Sequence, residues 1–165
     1  TLLKTIAGGI SLTEGTIHYS LNEQPVEPKS VYKNIAFCSP YMELIEEFSF
    51  AELISFQEKF KPFQENLSAK QILTLSGLNR ISNKPIRNFS SGMKQRVKLC
   101  LAIFSDAPLL LLDEPTSNLD PKGKVWYKDI LNKYTHDKTV IVASNFLKEE
   151  YPEKPIFIEL ANYKG

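Results

Sequence analysis

At 165 residues the chain suits one domain, or one domain with a small subdomain, and can bury a sizeable core. Hydrophobic residues make up 42% and charged residues 24%, and a net charge of +1 gives neither nucleic acid nor a membrane surface an electrostatic handle. No apolar run approaches the ~20 residues of a membrane span and no signal-peptide pattern opens the chain, while Cys38 and Cys100 read as reduced core thiols of a cytosolic protein.

The first residues, Thr1 to Gly9, predict a helix that stops at its glycines. Glu14 to Ser20 reads as a turn and a strand, with Ile17 and Tyr19 on one face and Thr16, His18 and Ser20 on the other. Polar Asn22 to Ser30 is a loop. Asn34 to Ser39 is apolar on both faces, which predicts a central strand. From 42 to 87 the pattern turns helical. Ser49 with Glu52 and Ser68 with Gln71 are capping boxes that open two helices, the first to about Lys61 with Leu53, Phe56 and Phe60 as its core stripe, the second ending at Gly77.

Asn88 to Asp120 carries the most chemistry. Ser90 caps a helix through about Phe104, whose buried stripe is Val97, Cys100, Leu101 and Phe104 and whose Lys94, Arg96 and Lys98 remain solvated. Four leucines, Leu109 to Leu112, suit a buried parallel strand that delivers Asp113 and Glu114 to its C-terminal end. Ligands of an open α/β sheet bind in the crevice beyond such strand ends. One acid there can organise a magnesium shell while the next deprotonates or orients a water. Asp120 before Pro121 starts the next helix, with Trp126, Tyr127, Ile130 and Leu131 as its apolar positions. Thr139 to Ser144 and Pro155 to Leu160 read as two further strands, the first buried.

These residues resemble the ATP-binding cassette of ABC transporters. Phe89-Ser90-Ser91-Gly92-Met93, followed by Lys94-Gln95-Arg96, is similar to the signature LSGGQ-x-Q-R; Leu109 to Glu114 is similar to the Walker B strand, and Ser117-Asn118-Leu119-Asp120 to the D-loop. The resemblance implies a P-loop NTPase-type α/β fold with a mixed or parallel sheet and a helical subdomain at about 42–88. It also implies that Asp113 organises Mg2+ and that Glu114 is the catalytic base. Ser90, Ser91, Gly92 and Met93, together with Asp120, would bind ATP held by a second nucleotide-binding domain. Thr1 matches the residue after the Walker A loop; that loop does not occur, and the chain reads as a piece of a longer protein, inactive on its own.

Two positions depart from the pattern. Ser39-Pro40-Tyr41 stands where the family has a metal-contacting glutamine, and Asn145 stands at its switch histidine. Asn145 can donate to a phosphate but cannot take a proton near neutrality. The implied function is ATP hydrolysis energising transport through transmembrane permease subunits, at the inner face of the cell membrane. The alternatives are a soluble ABC-type ATPase of translation or DNA repair, and a degenerate cassette that hydrolyses little.

Overall fold

The computed structural model describes residues 2–64, 67–145 and 148–163, with Lys148 by its backbone alone. Its frame is a parallel three-stranded sheet in the order β3 (Ile35–Cys38), β4 (Leu109–Asp113), β5 (Thr139–Ala143). The register pairs Ile35 with Leu109 on one side of β4 and Leu109 with Thr139 on the other, so both neighbours run level with it. This is the α/β parallel sheet the sequence predicts, and the leucine run is its centre. Because side chains alternate along a strand, Leu110 and Leu112 join one hydrophobic cluster and Leu111 another on the opposite face.

The larger cluster collects the helices α3 (Phe50–Glu58), α4 (Ala69–Ser76), α5 (Ser91–Ile103) and α6 (Pro121–Tyr134). The smaller one lies between the sheet and α1 (Leu2–Ile6) with α2 (Val31–Asn34). The ends of these helices follow local chemistry. Ser49 and Ser68 each form a complete capping box, with Glu52 and Gln71 respectively. Gly77 closes α4 in the left-handed region at φ 72°. At the end of α1, Gly8 has φ 75°, its N–H bonds Thr5 O, and the Gly9 N–H bonds Lys4 O, the paired bonds of a Schellman stop. Asp120 Oδ1 accepts from the Gly123 amide at 2.7 Å and caps α6 ahead of Pro121.

Several expectations are corrected. β3 is an edge of the described sheet rather than its centre; it is apolar on both faces because helices cover both sides of it. β5 is half-buried rather than buried. The stretch 14–20 forms no strand beyond Ser20–Leu21 (β1), which pairs as a hairpin with Gln24–Pro25 (β2) inside the predicted loop 22–30, although Ile17 and Tyr19 do keep the more protected face. α3 ends at Glu58, and its buried residues are Phe50, Leu53 and Ile54; Phe56 and Phe60 are exposed and stack in a row with Phe48. The i, i+3, i+7 spacing that suggested a core stripe serves an aromatic ladder on the surface instead. Residues 155–159 are unpaired, with Ile156 92% exposed, so the last predicted strand has no partner among the described residues. The two thiols are buried and free as expected. Among the described residues no helix is long and apolar enough to cross a membrane.

Candidate functional site

The site is built at the C-terminal end of β4, where each neighbouring strand sends one polar group toward one acid. From the end of β3, Ser39 Oγ donates to Asp113 Oδ2 at 3.3 Å. From beyond β5, Asn145 Nδ2 donates to Glu114 Oε1 at 3.1 Å. Level register brings about this meeting: Cys38 sits beside Leu112 and Ala143 beside Asp113, so both strands end where the acids begin.

The β3 side is tied down. Lys98 Nζ, from the middle of α5, donates to Pro40 O at 2.5 Å and to Ser39 O at 3.4 Å, and the Met42 amide closes a turn onto Ser39 O. Lys98 was expected to be solvated. Burial instead pulls its pKa below the usual lysine range, with Cys38 opposing the shift. Beneath it, burial pushes the Cys38 thiol up to about 12, so it stays neutral beside the acid.

The β5 side is held through the backbone. Glu114 has φ 42°, a left-handed conformation that costs a non-glycine residue on the order of 1 kcal/mol and persists only where its surroundings enforce it. Its N–H bonds Ala143 O at 2.9 Å, and its C=O accepts from the Ser117 amide at 3.0 Å. Next along, Gln95 Nε2 donates to Pro115 O, and Glu150 accepts from both the amide and the hydroxyl of Thr116.

The signature residues form a second pole. Ser90 Oγ accepts from the Met93 amide at 3.3 Å and caps α5. The helix's own ladder cannot satisfy the Ser91 and Gly92 amides, and the helix dipole adds partial positive charge there, which suits a phosphate. Ser90 and Ser91 are exposed, whereas Met93 packs against the core. Gly92 lies against the turn after β4: a Cβ on it would stand 2.8 Å from the backbone oxygen of Asn118, which itself has φ 65°. Only a residue without a side chain fits this approach. Asp120 spends its near carboxylate oxygen on the α6 cap and makes no bond to either acid, and Thr1 lies outside the described residues. Sequence reasoning missed Glu150 and the site contact of Lys98, and it named Gln95 within the signature resemblance without its bond to the turn after β4; nothing in the sequence marked Glu150.

The donor set fits Mg2+ bound with a nucleotide. Among the described residues no three acids, histidines or cysteines cluster into a metal cage, and Asp113 with the Ser39 hydroxyl offers two oxygens. Mg2+ is commonly held by one or two carboxylates, with waters and substrate phosphates completing its shell.

A sequence profile described as ABC transporter matches residues 1–117. The chain belongs to the ABC transporter ATP-binding family. It is 32% identical over 136 residues to the cytochrome c biogenesis ATP-binding export protein CcmA of Xylella fastidiosa, covering 82% of this chain and 63% of that one. It is 30% identical over 149 residues to the ABC transporter ATP-binding protein YybJ of Bacillus subtilis, covering 90% of this chain and 68% of that one. The chain thus spans about two thirds of the length of these relatives. Among solved structures, the ATP-binding cassette MJ0796, in a dimeric post-hydrolysis state bound to ADP and phosphate, superposes with a TM-score of 0.73 at 23% identity, over 90% of this chain and 70% of that one. That likeness is one of fold, the P-loop ABC ATPase α/β fold that the sequence predicts.

Proposed function

We propose that this chain is part of an ATP-hydrolysing ABC subunit that energises transport through membrane-embedded permease subunits, working as a dimer at the inner face of the membrane. The observation that carries the reading is the Asp113–Glu114 pair at the end of a central parallel strand, each acid met by a polar group from a different neighbouring strand. Asp113 and Ser39 would hold Mg2+, which supplies charge neutralisation to the phosphate oxygens when bound. Glu114, on its left-handed turn, holds or accepts the proton of the attacking water. Asn145 donates to Glu114 and, turned toward the nucleotide, would donate to the γ-phosphate. Ser90 to Gly92 would grip the phosphate chain held by the partner domain, so neither domain alone completes the site.

The names of the relatives support a transporter role; the substrate moved would be chosen by the permease. In the full-length protein, Glu114→Gln should leave ATP binding intact and slow hydrolysis by about 10²-fold or more, the scale of a lost acid–base group. An ATP-trapped dimer should then appear by size-exclusion chromatography, and near-normal turnover in this variant overturns the reading. Residues 1–165 alone, without a lysine-bearing phosphate loop, should not bind ATP at micromolar concentrations by isothermal titration.

A further inference from the structure

Glu150 lies just past β5 and is only 1% exposed. Its Oε1 accepts from the Thr116 N–H at 3.0 Å and from the Thr116 hydroxyl at 2.5 Å. Its Oε2 is buried and has no hydrogen-bond partner among the described residues. Among the described side chains no lysine is bonded to this carboxylate: Lys124 pairs with Glu149, and Lys128 donates to Tyr151 O. The backbone beneath it is fixed as well, because the Tyr127 hydroxyl donates to Glu150 O at 2.9 Å. Burying an acidic side chain with one oxygen left unpartnered is costly, so packing alone does not account for it. Two directed bonds to a single residue do account for it.

Thr116 stands two residues after Glu114, in the turn where Glu114 holds its left-handed φ of 42°. β5 and α5 supply two of the turn's restraints, through Ala143 and Gln95, and the turn's own Ser117 bond is a third. The fourth comes from the same stretch that carries Asn145. This stretch therefore grips the turn twice, with Asn145 on the Glu114 carboxylate and Glu150 on the Thr116 backbone. We propose that Glu150 is a positioning residue for the reaction: its buried carboxylate latches Thr116 and thereby fixes the backbone from which Glu114 reaches the water. The inference rests on Glu114 being the base. Misplacing a reacting group by about 1 Å can cost on the order of 10²-fold in rate, which sets the scale.

The test uses the full-length protein with Glu150→Ala, Glu150→Gln and Thr116→Val. Glu150→Ala should lower kcat by about 10-fold or more while KM for ATP moves less than about twofold. Glu150→Gln, whose amide oxygen can accept the same two bonds, should recover most of that loss. In a Glu114→Gln background, Glu150→Ala should slow turnover no further, because the residue acts through Glu114. Hydrogen exchange at the Thr116 amide should quicken by about 10-fold or more in Glu150→Ala while the β4 amides stay protected. Unchanged kcat and unchanged Thr116 exchange overturn the proposal, and so does a loss that adds fully to Glu114→Gln. If Glu150→Ala does not fold, Glu150→Gln and Thr116→Val carry the test: each weakens the latch while keeping an acceptor or the amide bond, and kcat and Thr116 amide exchange both equal to wild type in the two variants overturn the latch. Should Glu114 itself prove dispensable, Thr116 exchange still reads whether the latch exists, so the two failures are told apart.

Discussion

On the β3 side of β4, Asp113 faces a serine whose turn is bolted to α5 by Lys98, whereas on the β5 side Glu114 faces an exposed amide and sits on a strained turn. The first arrangement suits a group that must wait in one place, as a metal-organising acid does. The second fixes the backbone but leaves the carboxylate itself free to turn, because the Asn145 bond is solvent-accessible and individually weak. Preorganisation is thus spent unequally across one strand end, and stiffness follows the chemistry each acid would perform.

Removing an acid tests this contrast most strongly. Asp113→Asn should lower ATP turnover in the full-length protein by about 10²-fold or more, and added Mg2+ should recover only part of it. A variant equally active at saturating Mg2+ would place the metal elsewhere. Lys98→Met comes next: it keeps the apolar stem but frees the Pro40 and Ser39 carbonyls. Turnover should fall by about 10-fold and the Mg2+ concentration for half-maximal rate should rise, whereas a loss of rate at unchanged Mg2+ demand would break the link between α5 and Asp113.

On the looser side the effects should be smaller. Asn145→Ala should slow hydrolysis by a factor of about three to ten, the worth of one neutral hydrogen bond. Asn145→His should raise the rate or give it a pH dependence around the usual histidine value of about 6.5, where the native protein should show little. If neither substitution departs from the native pH–rate curve, Asn145 does not touch the phosphate.

The smallest effect concerns the foot of β5. There Lys138 Nζ donates to Ile103 O and Ser105 O at the end of α5, and burial lowers its pKa from 10.5 to about 8. The folded state releases this proton before the unfolded chain does, so stability climbs as pH rises from about 8 toward 10.5 and is lowest below that window. Thermal midpoints at about pH 7 and about pH 9.5 should show that rise, and Lys138→Met should flatten it. An equal rise in the variant would assign it to other groups.

What the sequence disclosed was local or periodic. Capping boxes, glycine stops and the leucine run act over a few residues, and their geometry is written in neighbouring letters. The acids were legible because a buried strand must end somewhere, and Asp113-Glu114 is where this one ends. Tertiary choices were not legible. Lys98 looks like any helical surface lysine until β3 is docked beneath it, and Phe56 and Phe60 look like core until α3 rotates Phe50 and Ile54 inward instead. Glu150 could not be found at all, since its partner Thr116 is 34 residues away with β5 and α6 in between.

Cys38 and Cys100, one beneath the Asp113 turn and one inside α5, are both fully buried, and burial holds both thiols in their unreactive protonated form. A thiol-specific reagent therefore meets nothing on the native molecule until the layer between α5 and β3 parts. The two sulfurs amount to an internal timer: their labelling rate counts openings of the very joint that Lys98 fastens, and needs neither nucleotide nor membrane to be read.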